Sequence, residues 1–288
     1  MGRYSKDKRD IYYRKAKEVG YRARSAFKLL QINEEYHIFD QVSRAVDLCA
    51  APGSWSQVLS RELYKPEKKD VKIVAVDLQE MAPIEGVIQI QGDITSKKTA
   101  DEIINHFEGK KAQLVICDGA PDVTGLHDMD VYVQSQLLLS ALSITAQVLC
   151  DGGTFIAKIF RGRDVTLLFA QLRVFFSEVA CCKPKSSRNS SMEAFVVCRD
   201  FSIPEGFDVN QFALCLSGQY KNVPFPNKVN AEIVPFLACG DLCGYDSDKS
   251  YPLQLGEDEE EFVYHEPVQK PIHPAYSEYL NMKRKCVD

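Results

Sequence analysis

No uninterrupted apolar run of about 18 residues, the length a membrane-crossing helix needs, occurs in the sequence. The most apolar stretch, 137–149, is interrupted by Ser140, Ser143, Thr145 and Gln147, which excludes a spanning helix there. The first 30 residues are basic and polar, without the apolar segment of a secretory leader, and Lys6 stands where a myristoylation signal has Ser or Thr. A cytoplasmic location, with no membrane partner, is the expectation. Nor is there a metal-binding set, because Cys239 and Cys243 have no second pair at zinc-finger spacing. The ten cysteines are scattered, and Cys49, Cys117 and Cys198 sit inside apolar strand-like runs, as free thiols of a reducing compartment do. No unit repeats at a period of about 20 to 50 residues, which excludes solenoids and propellers.

What is present is a globular composition of 288 residues, 45% hydrophobic and 26% charged. A chain of this size buries roughly 75% of the surface its unfolded form exposes, enough for one large α/β core with or without an appendage. Charge is spread unevenly. Residues 1–31 carry ten Lys and Arg against three acids, a local charge of +7, so the rest of the chain carries −12 of the net −5. A basic arm on an acidic body fits phosphate-backbone binding, and equally a solvated helix face.

From Arg44 onward, short β-branched runs alternate with helical patterns. Strands are predicted at 44–48, 72–76, 87–90, 114–117, 154–159, 178–182 and 194–198, with helices at 54–63, 97–107, 131–149 and 165–176. Such alternation is the signature of a doubly wound, mostly parallel α/β sheet with helices on both faces, a Rossmann-like fold. The loop 183–192 is too short for a crossover helix, so the last strand returns antiparallel and closes the sheet. Before the sheet, 21–35 reads as a helix with Ala23, Ala26, Phe27 and Leu30 on one face and Arg24 and Lys28 along its flank. After Arg199 the pattern dissolves into proline-interrupted segments and the acidic run 257–261, with packing expected only near 233–251. The predicted organisation is a basic arm over 1–43, a core over 44–200 and an irregular extension over 201–288.

Ligands of open α/β sheets sit at the carboxyl ends of the strands. There the sequence places Asp47, Asp77, Asp93 and Asp118. One such acid could be a helix cap; four in register are unlike caps alone. The first turn has Ala50 and Ala51 leading to the single Gly53, not the three glycines of a pyrophosphate cradle. Acids at the strand ends suit a ligand that offers ribose hydroxyls, an exocyclic amine and a positive charge, as S-adenosylmethionine does.

The ordered motifs DLCAAPGSWSQ (47–57), VDL (76–78), GDIT (92–95), DGAP (118–121), FIAKIF (155–160) and SRNSSMEAF (187–195) resemble the FtsJ-type ribose 2′-O-methyltransferases. That resemblance implies S-adenosylmethionine held by Gly53, Trp55, Asp77, Asp93 and Asp118. It also implies the family's Lys-Asp-Lys-Glu tetrad, which falls on Lys28, Asp118, Lys158 and Glu193. In such a site Lys158 handles the 2′-hydroxyl proton as base or orienter, since neighbouring carboxylates raise a lysine pKa while burial and Lys28 lower it. The start (5–13) and the tail (234–253) resemble the eukaryotic cytoplasmic tRNA branch. This implies methylation of anticodon-loop riboses 32 and/or 34, with separate helical-repeat and WD-repeat proteins selecting the position; the extension 201–288 is the expected docking surface for them. Ribosomal-RNA and cap-ribose methyltransferases, and a catalytically silent scaffold, are the competing readings.

RNA contacts are expected from the arm, from Arg161 and Arg163, from Lys183, Lys185 and Arg188, and from stacking by Tyr12, Tyr13 and Tyr21 unless these pack inward. The arm is expected to be separable, so that deleting 1–31 abolishes RNA binding and spares cofactor binding.

Overall fold

The computed structural model describes residues 10–65, 70–121, 127–162, 165–209, 211–212, 229–230, 245, 249–253, 263–265, 276–279 and 282. The chain forms two compact units, Met1–Leu237 and Ala238–Asp288. In the second, Tyr245 and Tyr251 meet edge to face at 4.9 Å. The first carries helices α1 (Ile11–Val19), α2 (Ala26–Tyr36), α3 (Ser54–Leu63), α4 (Lys97–His106), α5 (His127–Val148) and α6 (Val165–Arg173). Its strands are β1 (Arg44–Leu48), β2 (Lys72–Asp77), β3 (Val87–Gln91), β4 (Ala112–Cys117), β5 (Leu149–Phe160), β6 (Phe176–Cys182) and β7 (Glu193–Phe201).

The strands form one sheet in the order β3-β2-β1-β4-β5-β7-β6. Only β7 runs against the others, antiparallel to both β5 and β6. It lies between them, so the strand that closes the edge is β6, a placement the short 183–192 loop alone leaves open. The chain winds outward from β1 to β3 and then returns to the other side at β4, which makes the gap beyond β1 and β4 the topological switch point. Register pairs Leu48 with both Val76 and Cys117, and Cys117 with Ala157, so the carboxyl ends of four parallel strands finish in one row.

Alternation along the strands sorts the core into two layers. Val46, Leu48, Val74, Val76 and Val115 pack against α4 and α5. Ala45, Ile73, Leu114, Ile116 and Ile156 turn to the opposite face, towards Ala16, Leu29, Ile32 and Leu59 of α1, α2 and α3. The arm is therefore part of the core. Its first helix is not evident in the sequence pattern: Asp10 caps it, accepting from the Tyr12 and Tyr13 amides at 3.0 and 3.2 Å, and Gly20 ends it at φ 82°. The helix expected over 21–35 begins at Ala26, because residues 21–25 are drawn into a turn against α3.

The extension also contributes to the core where it leaves β7. Phe207 and Phe212 pack on Phe175, with centroids 4.9 and 5.7 Å apart, and Asp208 and Asn230 exchange two 2.8 Å hydrogen bonds. Phe212→Ala is expected to cost about 3–5 kcal/mol, as buried aromatic truncations do. Urea unfolding reads this; a change under about 0.5 kcal/mol would mark Phe212 as a surface residue. Most of the 233–251 stretch lies outside the described residues. No helix among those described is long and apolar enough to cross a membrane.

Candidate active site

Beyond the carboxyl ends of β1, β2, β3 and β4 lies a cleft of about 860 Å³, within the range of small-molecule sites. Asp77, Asp93 and Asp118 line it. The capping interpretation and the ligand interpretation are both visible in these acids. Asp77 accepts the Ala51 amide on one oxygen and the Gln79 amide on the other, both at 2.8 Å. Asp93 accepts the amide and hydroxyl of Thr95 at 2.8 Å, both on one oxygen. A carboxylate has about four acceptor positions, so each still has capacity for a ligand's hydroxyl or amine.

Gly53 and Trp55 are not among the lining residues. Gly53 heads α3 at φ 100°, and its amide bonds to the Ala50 carbonyl at 2.7 Å. Trp55 is 2% exposed; its indole N–H donates to the Ser25 carbonyl at 2.9 Å and its ring packs on Phe195 at 5.6 Å. The first turn of α3 points the indole at α2 and β7, so it pins the arm rather than facing the cleft. The sequence reading did not anticipate the cleft's other lining groups, Lys17 and Arg22 from the arm and Val133 and Leu137 from α5. The arm's charge does not reveal which of its cations turn inward.

The three remaining expected residues, Lys28, Lys158 and Glu193, converge with Asp118 beside the cleft. Asp118 follows β4 and Lys158 lies in β5, side by side because Cys117 pairs with Ala157. Lys158 Nζ reaches Asp118 Oδ1 at 2.7 Å and the Asp118 carbonyl at 2.8 Å. Glu193 starts β7 opposite Phe160, and Lys158 lies opposite Phe195, which puts Lys158 and Glu193 diagonally on one face. Their charged atoms are 3.7 Å apart. From α2, on that same face, Lys28 Nζ donates to Glu193 Oε2 at 2.7 Å. Ser187 donates to the other Glu193 oxygen at 2.8 Å. Below, buried Gln134 of α5 donates to the Lys158 and Gly119 carbonyls at 2.9 and 3.1 Å, which fixes the two strand ends.

The sequence profile of the FtsJ-like methyltransferases matches residues 21–201. The chain belongs to that family. A human tRNA (cytidine(32)/guanosine(34)-2′-O)-methyltransferase is 60% identical over 99% of this chain and 86% of its own length. The fission yeast enzyme of the same description is 53% identical over 98% of both chains. A crystal structure described as a ribosomal RNA methyltransferase from Plasmodium falciparum superposes with a TM-score of 0.56 at 29% identity, over 63% of this chain and 98% of that one.

FtsJ-like methyltransferases in general use S-adenosylmethionine, and the cleft fits it: acids with spare acceptor capacity, a small-residue first turn and no phosphate cradle. The neighbouring tetrad holds two cations and two anions and is nearly closed to water, with Lys158 and Glu193 each 9% exposed. Burial lowers the Lys158 pKa, but the Asp118 and Glu193 carboxylates outweigh it and hold the ammonium above its ordinary value. Burial likewise raises Glu193, while Lys28 and Lys158 bring it below the usual glutamate range. Under Asp118 and Asp77 lies Asp47, fully buried, with Oδ2 accepting from Ser56 at 2.6 Å. Burial, opposed by that hydroxyl and reinforced by Asp118 and Asp77, pushes Asp47 up to about 7.

The cysteine that lines the cleft, Cys49, is held as a thiol, because its contact with Cys117 and then its burial raise its pKa, away from the reactive thiolate. Among the described residues no cluster of His, Cys, Asp and Glu could hold a metal. Around the tetrad, Arg161, Lys185 and Arg188 are exposed, and Arg163 lies outside the described residues. Tyr21 and Tyr12 turn inward onto Phe27 at 5.9 and 5.6 Å, while Tyr13 stays exposed. Asp10 pairs with Arg24 and, at 3.6 Å, with Arg188, tying α1 to the loop that carries Ser187 and Glu193.

These contacts correct the expected separability of the arm. Ala16, Tyr21, Ala26 and Leu29 are core residues, and Arg22 lines the cleft. Deleting 1–31 removes α1 and the first half of α2 from one face of the sheet, together with two groups of the cleft wall, Lys17 and Arg22, so the arm does not separate cleanly from the core or from the cleft.

Proposed function

We propose that this chain transfers a methyl group from S-adenosylmethionine to the ribose 2′-hydroxyl of nucleotides 32 and/or 34 in the tRNA anticodon loop. The observation that carries the chemistry is the continuous Lys28-Glu193-Lys158-Asp118 chain of contacts beside an acid-lined cleft. Bound there, the cofactor supplies an electrophilic methyl on a sulfonium. The protein's task is to bring the hydroxyl in line with that methyl and to take up its proton.

Lys158 takes that proton. It rests as an ammonium between Asp118 and Glu193, gives one proton to solvent as the cationic cofactor and the substrate settle, and recovers one from the 2′-hydroxyl as the O–CH₃ bond forms and the S–CH₃ bond breaks, its electron pair leaving with the sulfur of neutral S-adenosylhomocysteine. Asp118 and Glu193 orient its amine, and Lys28 holds Glu193 ionised and faces the RNA with its remaining donors.

The tRNA assignment is supported by the relatives, whose similarity runs through the tail beyond residue 201, where the family profile ends. Their description joins a cytidine and a guanosine two nucleotides apart. One active site serving both does not read the base, so register is set elsewhere. The helical-repeat and WD-repeat auxiliary proteins fill that role in our reading, docking on 201–288, and the work is cytoplasmic.

Mapping of 2′-O-methylation on total tRNA from cells with and without this protein tests the proposal. Loss at 32, 34 or both, restored by the wild-type chain but not by Lys158→Ala, is expected. Unchanged anticodon-loop marks refute it and turn attention to ribosomal RNA and cap riboses.

A further inference from the structure

The loop between β2 and β3 supplies much of the cleft wall, yet little apolar burial holds it. Leu78 is 68% exposed, and Gln79, Glu80, Ala82 and Pro83 are exposed too. A segment with so few buried contacts belongs to the low-stability end of a fold unless hydrogen bonds fix it. From the sheet side, Gln91 and Gln89 of β3 donate to the Leu78 and Ala82 carbonyls, both at 2.9 Å. From the arm side the hold is Arg22. Its Nη2 donates to the Ala82 and Pro83 carbonyls at 2.9 and 3.0 Å, and its Nη1 donates to the Pro52 carbonyl at 3.0 Å.

One guanidinium thus bridges two loops of the cofactor cleft, the β1–α3 turn and the β2–β3 loop, and lines the cleft itself. Its backbone is anchored first: the Arg22 amide donates to Gln57 Oε1 at 2.8 Å, and Gln57 Nε2 donates to the Gly20 carbonyl at 3.1 Å. The path also accounts for Gly53. A Cβ there would lie 2.7 Å from Arg22 Nη1 and 2.8 Å from Ile84 Cδ1, so glycine clears the way for the strap as well as permitting φ 100°.

We propose that Arg22 is a positioning residue for the methyl donor, a strap from the arm that keeps the β2–β3 loop set over the cofactor cleft. The proposal rests on the reading of that cleft as the S-adenosylmethionine site. It separates the arm's cations by role. A guanidinium can serve three carbonyls at once through its planar fork, whereas an ammonium is a point donor and cannot span them. Arg22 is therefore engaged with protein carbonyls, and its positive charge is not needed for RNA.

The test uses the full chain and S-adenosylhomocysteine as probe, measured by calorimetry without RNA. Arg22→Lys keeps the charge and is expected to weaken binding at least about tenfold, the factor that 1.4 kcal/mol represents. Amides of the 79–86 segment exchange faster in the variant, the KM for S-adenosylmethionine rises, and kcat at saturation and the KM for tRNA stay within about twofold. Arg22→Gln, which keeps two donors without charge, gives the same pattern and covers the case in which the lysine variant folds poorly. An unchanged Kd with a raised tRNA KM makes Arg22 an RNA contact and overturns the strap. A wild-type chain with no affinity for the probe overturns the cofactor reading, and the strap with it.

Discussion

Replacing Lys158 by alanine is expected to lower kcat by about 10²–10⁴-fold, the range supplied by one positioned proton-transfer group. S-adenosylhomocysteine and tRNA should still bind, because the acids lining the cleft and the exposed cations Arg161 and Lys185 are untouched. The substitution leaves Asp118 and Glu193 with Lys28 as their one cation in the tetrad, so the chain also loses stability, as it does when one partner of a buried pair is removed. Folding must therefore be checked beside rate.

Lys158→Arg is the sharper variant. Arginine retains the charge and the donors to Asp118 but does not lose a proton at accessible pH. If Lys158 takes the hydroxyl proton, the arginine enzyme is as inactive as the alanine one. The sign of the pH effect follows from its pKa. Asp118 and Glu193 hold Lys158 protonated at neutral pH, so the competent neutral amine grows with pH. The wild-type kcat/KM, which reports the free enzyme, should rise with a slope of one in log rate against pH before it levels. A flat profile together with an active arginine variant would make Lys158 an orienter and place the proton acceptor elsewhere.

The resemblance to the FtsJ-type enzymes named the four tetrad positions, and strand topology accounts for why three of them meet. Asp118 and Lys158 end adjacent parallel strands, and Glu193 begins the strand that must return antiparallel. The strands themselves were legible: runs such as Lys72–Asp77 are buried on both faces and read as continuous β-branched stretches. What stayed hidden depends on distant contacts. The Trp55 indole is held by the Ser25 carbonyl, 30 residues away, and no local signal says that it turns from the cleft. Phe207 and Phe212 look like stray aromatics between prolines until Phe175, itself stacked on Phe201, is brought beside them. The basic arm misled in another way. Its charge dominates its composition, yet Ala16, Leu29 and Ile32, spaced among the lysines, bury one whole face.

Asp47→Asn is expected to change the pH dependence of stability more than any other single substitution in the core. In the unfolded chain this carboxyl titrates near its ordinary value, about 3.9. In the folded chain it titrates at about 7, because burial, with Asp118 and Asp77 nearby, disfavours the charge more than the Ser56 hydroxyl favours it. Its Oδ1 has no hydrogen-bond partner among the described residues. Between these two values the folded state binds more protons than the unfolded state, so wild-type stability falls as pH rises and levels off above about 7. The full span is about 4 kcal/mol by linkage, at about 1.4 kcal/mol per unit. Asparagine can still accept from Ser56 and cannot ionise, so its stability should be flat across the same window. Urea midpoints for both chains at several pH values from 4 to 8 measure the difference. Parallel curves would mean that Asp47 stays ionised throughout and that something satisfies Oδ1, which would make it a fixed negative charge beneath the cofactor cleft rather than a titrating one.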